Sequence, residues 1–222
     1  MSVMTEVSLS SRGAAVAELL HRYPSLVRWR MSLGAVVAVI GIVWWREPAV
    51  QSEDAALWLV RACAVVMVMG AVFLLDDASM NLTEASVIPQ RVRAGLRVGL
   101  MAIVVGLGCL PAAVVAASRF PVGSHWLGLV VELTAITVVT AAVALTLQRR
   151  RGIPEPGQFA SVGAVVVVFC AQLMGSRWPM LVAPGPDWSD AHRRWLALLA
   201  VGVLTLLWRL RDPAAGRRVK HE

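Results

Sequence analysis

Six hydrophobic segments, at residues 29–45, 55–75, 98–117, 126–147, 159–175 and 195–210, govern what this chain can fold into. A helix needs about 20 apolar residues, with roughly 17 to 25 tolerated, to cross the hydrocarbon of a bilayer. The first, fifth and sixth segments fall short and must draw on their flanks. Hydrophobic residues make up 58% of the chain and charged ones 16%, against an apolar share of roughly 45 to 50% in soluble domains. The solvent for such a chain is lipid. In lipid the backbone must satisfy its own hydrogen bonds, which leaves helices and rules out open sheets. The expected fold is an all-α integral membrane protein with six transmembrane helices.

The formal charge of +7 sits beside the hydrophobic segments and is not interleaved with stacking aromatics, so it orients the chain in a membrane and does not read as a nucleic-acid surface. Lys and Arg number fifteen on the side carrying both termini and five on the other. Positive flanks stay cytoplasmic, so both termini are expected in the cytoplasm, as an even number of spans also requires. Residues 1–28 then form a cytoplasmic N-terminal segment with a short amphipathic helix around Val16, Leu19, Leu20 and Tyr23. Residues 29–210 form the membrane domain, and 211–222 a cytoplasmic basic tail. No signal peptide of usual form opens the chain. Trp44, Trp45, Trp58, Trp126, Trp178, Trp188 and Trp195 are expected in an outer aromatic belt, and Trp29 and Trp208 in an inner one. The expected location is a bacterial cell (inner) membrane.

Arg61 and Glu132 are the two ionisable residues well inside apolar segments. Each lies six residues past the start of a segment running inward, about 9 Å deep at 1.5 Å per residue. They can pair at one level, either as an ion pair that fixes the helix arrangement or as part of a pathway. Thr134, Thr137 and Thr140 share a segment with Glu132 and either line a polar path or bond their own backbone.

The segment from Asp76 to Arg97 is the longest polar interruption on the inner side. Its Asp76, Asp77, Glu84, Pro89, Arg91, Arg93 and Arg97 suit docking with a soluble partner, although lipid headgroups would also satisfy the arginines. Acid at the C-terminal end of a helix opposes the dipole, which a partner's basic surface would relieve. On the outer side, prolines at 179, 184 and 186 make 176–194 an irregular stretch; its Trp188, His192, Arg193 and Arg194 would meet an anionic cargo or membrane lipids at an outer mouth.

Enzyme chemistry is not expected. The single lysine, Lys220, is followed by His221 and Glu222, so no Gly-Lys-Ser/Thr phosphate loop exists. Nucleophile–base sets and metal-ligand spacings are equally absent from the sequence, and Cys63, Cys109 and Cys170 lie singly in apolar segments. No metal, cofactor or disulfide is expected.

An ordered set of features remains: Leu75-Asp76-Asp77, Pro89 followed by Arg91, Arg93 and Arg97, Glu132, Glu155-Pro156-Gly157, Trp188 with Ala191-His192-Arg193-Arg194-Trp195, and Arg211-Asp212-Pro213-Ala214. With this set the chain resembles the six-span permease subunits of actinobacterial ABC transporters, akin to the type-two exporters. It departs at Ala78, where such proteins often carry proline. The resemblance implies a separate ABC ATP-binding subunit docked on the 76–97 loop, and a second permease chain, identical or paralogous. The alternative is a non-transporting membrane adaptor whose loop recruits a soluble partner.

Overall fold

A computed structural model describes residues 29–76, 90–120, 125–151, 153, 155–173, 180–182 and 185–210. The amphipathic N-terminal segment, the basic tail, and Asp77, Ala78, Glu84, Pro89 and Trp178 lie outside the described residues. Among the described residues six α-helices follow one another: α1 (Trp29–Arg46), α2 (Glu53–Ala71), α3 (Gln90–Arg119), α4 (His125–Arg151), α5 (Gly157–Leu173) and α6 (Trp188–Leu210). Short 3-10 turns, Glu47–Ala49 and Val72–Leu75, follow α1 and α2. No strand occurs among the described residues.

α2 is the central element, packed against α1, α3, α4 and α5. In its most apolar window 67% of the residues are buried, against 22% for α1 and for α3, so those two lie at the periphery. Local signals set its start: Ser52 is extended, with φ −133° and ψ 156°, its side chain accepts the Ala55 N–H, and Glu53 and Asp54 occupy the first turn. A side-chain cap and acidic residues are what the exposed N–H groups of a helix start favour. Close approach to α1 depends on Gly70, where a Cβ would overlap Ala35 Cβ and lie 2.9 Å from the Met31 carbonyl oxygen. Ser32 Oγ donates to the Gly70 carbonyl at 3.1 Å in the same crossing.

Interactions at the helix ends show which ends share a level. Arg119, closing α3, donates to the Val50 carbonyl at 3.0 Å and lies 3.3 Å from Glu47 Oε1, while His125, opening α4, lies 3.3 Å from Glu53 Oε1. At the opposite end Arg97 of α3 donates to the Asp76 carbonyl, and Asp76 reaches the start of α5. The side chains left outward are apolar along α1, α3, α5 and α6, for example Val37, Ile103, Phe169 and Leu204, which is a surface suited to lipid or to another apolar partner.

Two boundaries differ from the sequence expectation. α3 starts at Gln90 and not near Val98, so Arg91, Arg93 and Arg97 are helical; their polarity suggests a loop, but arginine is a good helix former. α6 starts at Trp188 and not Trp195, with the Trp188 N–H bonded to the Gly185 carbonyl and the Ala191 N–H to the Asp187 carbonyl. The chain turns helical as soon as the last of the three prolines is passed, since proline obstructs a helix interior but not the approach to its first turn. Trp195 is also corrected. It is 1% exposed, in the core and outside any aromatic belt, and its indole N–H donates to the Met180 carbonyl at 2.7 Å.

Candidate functional site

Three helices converge on Glu132. Arg61 of α2 holds it at two points, Nε to Oε2 and Nη2 to Oε1, both at 2.7 Å. Arg61 is 7% exposed and Glu132 2%, so the pair is shielded from solvent, where a two-point guanidinium–carboxylate contact is strongest and most directional. Trp58 and Trp188 flank the guanidinium, with ring centroids 5.3 and 5.9 Å from Arg61 Cζ. Stacked aromatic faces favour a planar cation there.

His192 of α6 supplies the third side. Its Nε2 lies 3.2 Å from Glu132 Oε1, at ion-pair distance but off the line of a hydrogen bond. Its Nδ1 is 2.7 Å from the Trp188 carbonyl oxygen one turn back. The rings of Trp188 and His192 are 4.2 Å apart, and His125 meets Trp188 edge-on at 5.0 Å. Gly128 makes room for this packing, because a Cβ there would overlap His192 Nε2 and crowd the Trp188 ring. Expected at an outer mouth facing cargo or headgroups, His192 is instead buried against Glu132. Trp188, His192 and Trp195 follow one another at helical spacing, which is the signal that could have joined them. Arg193 is exposed and lies 3.3 Å from Asp190; Arg194 is half-buried.

Thr134, Thr137 and Thr140 each donate to the carbonyl four residues earlier, at 2.6 to 2.7 Å. Their hydroxyls are spent within α4. Among the described residues no three His, Cys, Asp or Glu side chains gather as a metal ion would require.

At the other end of the bundle Asp76 is 2% exposed. Its Oδ1 accepts the Gly157 N–H at 2.7 Å, and its carbonyl accepts from Arg97 Nη1 at 3.2 Å. Its own helix end disfavours acid, but the start of α5 favours it, which supplies within the chain a reason for this carboxylate. A Cβ on Gly157 would sit 2.9 Å from Asp76 Oδ1 and 3.0 Å from Phe73, so glycine lets the carboxylate approach. Asp76→Ala should lower the unfolding midpoint in detergent by a few degrees, about 1–2 kcal/mol for a lost helix cap. Asp76→Asn should recover most of that, since an amide oxygen still accepts; an unchanged midpoint in Asp76→Ala would refute the capping role.

Of the sequence-selected residues, Arg61, Glu132, His192 and Trp188 thus come together. Asp76 and Arg97 meet at the other end, Arg91 is exposed and Arg93 is half-buried.

The described chain is all helical, and four of its helices are long and apolar enough to cross a membrane, as in an integral membrane protein. No protein-family model, curated protein or solved structure matches it.

Proposed function

We propose that the protein is the permease subunit of an ATP-driven exporter, with six spans, both termini in the cytoplasm and a bacterial inner membrane as its home. A separate ABC ATPase couples to it through residues 76–97, and a second permease chain, identical or paralogous, completes the pathway. The observation that carries this reading is the construction around Asp76. One buried residue joins the end of α2 to Arg97 of α3 and to the first residue of α5. A push on the segment between Asp76 and Gln90 therefore reaches three helices at once, as passing a motor's stroke to a helical bundle demands. Arg91 is exposed at the start of α3 and is the arginine of this segment best placed for a partner's carboxylates. The outward apolar faces of α5 and α6 suit the second permease.

The test is purification of the tagged protein from its native membrane in mild detergent, with mass spectrometry and an ATPase assay on the eluate. A cassette ATPase should copurify and should be lost on changing Asp77, Glu84 and Arg91. Absence of any ATPase in several detergents would refute coupling and leave the adaptor reading.

A further inference from the structure

α4, α5 and α6 enclose an apolar cavity of about 160 Å³. Its origin lies in α5, where Ala160, Gly163 and Ala164 stand three and four residues apart and so share the face that lines it. Their side chains are too short to fill the gap, and a Cβ on Gly163 would meet no atom of a neighbouring helix within 4 Å. One wall is the ring of Trp195, fixed in place by the hydrogen bond from its indole N–H to the Met180 carbonyl. Among the described residues that line the cavity, only Thr140 and Trp195 carry polar side-chain atoms. Both donors are engaged, since the Thr140 hydroxyl donates to the Ile136 carbonyl at 2.7 Å. A buried water needs two to four polar partners, more than this lining offers. Val143 and Val167, both exposed, border the cavity, so it opens between α4 and α5 toward the apolar surroundings of the helices.

We propose that this cavity binds a compact, uncharged hydrocarbon group the size of one six-membered ring. An apolar core cavity of about 150 Å³ stays dry and takes up benzene, and the space beside Trp195 matches it in volume and in lining. A free ring compound and the end of a lipid chain share this chemistry, and the test separates them. The inference rests on the packing of α4, α5 and α6 and not on coupling to an ATPase.

The test is a titration of the purified full chain in detergent with benzene, read by NMR on carbon-13-labelled isoleucine methyl groups. Ile136 is buried and lines the cavity, whereas Ile40 and Ile103 are exposed on α1 and α3. The Ile136 signal should shift and saturate, while those of Ile40 and Ile103 drift in proportion to the benzene dissolved around them. Phenol should bind about tenfold more weakly, because its hydroxyl would be buried without a partner. Ala164→Leu, which fills the cavity from a buried position, should abolish the saturating shift. Phosphatidylcholine added without benzene distinguishes the sources: an Ile136 shift that benzene reverses assigns the site to a lipid chain end, no shift assigns it to a free compound, and either result supports the inference. An Ile136 signal that only drifts like Ile40 and Ile103 would overturn it, whether or not the variant folds. So would equal affinity for phenol, or a saturating shift that persists in folded Ala164→Leu, or an Ile136 signal that follows protein concentration and not benzene, which would give the space to a second copy of this chain. No ATPase is present, so a negative result here leaves the permease reading untouched, and loss of the ATPase in the pull-down leaves this site standing.

Discussion

Glu132→Ala should destabilise the protein by about 3–5 kcal/mol, because it leaves the Arg61 guanidinium buried without its counter-charge. The replacement deletes both 2.7 Å contacts to Arg61 and the carboxylate beside His192. For a chain of this size that is a drop in unfolding midpoint on the order of 10 °C. Arg61→Ala should cost as much for the complementary reason, leaving Glu132 alone at 2% exposure. Arg61→Met/Glu132→Leu should be more stable than either single alanine variant, since taking two charges out of water costs several kcal/mol that an apolar pair avoids. The measurement is thermal unfolding in detergent of all four proteins. A double variant no better than the worse single variant would show that the pair does not act as a unit.

Such a pair is poor value as pure stabilisation, and its use is more specific. Arg61 and Glu132 fix the depth of α2 relative to α4, and His192 brings α6 to the same level. Any other sliding register of the three helices would strand one of these groups in hydrocarbon, so the cluster selects one packing among many similar apolar ones. Its position, away from the Asp76 junction and near the ends marked by Glu53 and His125, leaves the bundle joined by polar contacts at both ends.

Helical character and the equal depth of Arg61 and Glu132 were legible from hydrophobic run lengths and 1.5 Å steps, because both depend on local quantities. Helix starts were less so. The runs were bounded where polarity begins, yet α3 and α6 continue through Arg91–Arg97 and Trp188–Arg194, since a helix ends where its backbone geometry fails and not where its side chains turn polar. Partners across helices were the least legible part. Nothing near Asp76 in the sequence announces that its carboxylate is met by Gly157, 81 residues on; the Gly157 position after Glu155 and Pro156 marks a helix start but not which acid faces it. His192 reads from the sequence as part of an outer mouth with Trp188, Arg193 and Arg194, but the structure buries it with Trp195, seven residues on from Trp188 along the same helix.

Trp195 carries the second large effect. An indole at a headgroup belt is partly wet, and its truncation there would cost about 1 kcal/mol or less, as most surface changes do. Trp195 instead fills the junction of α4, α5 and α6, and it borders an apolar cavity of about 160 Å³ that Ile136, Ala160, Gly163, Ala164 and Leu198 also line. Trp195→Ala would merge the vacated space with that cavity, and the penalty for emptying a core of a buried aromatic is about 3–5 kcal/mol. Trp195→Phe separates the two jobs of the side chain. The ring volume is mostly kept, but the Met180 carbonyl loses its 2.7 Å donor, which should cost about 1–3 kcal/mol for a buried acceptor left unmet. The expected order of unfolding midpoints is therefore native, then Trp195→Phe a few degrees lower, then Trp195→Ala on the order of 10 °C lower. Protease cleavage near Met180 should accelerate in Trp195→Phe while the helices remain folded, because the indole hydrogen bond that helps hold Met180 against α6 is lost. A native-like midpoint in Trp195→Ala would return Trp195 to the membrane interface and remove this junction as the reason for the close pairing of α4 with α6.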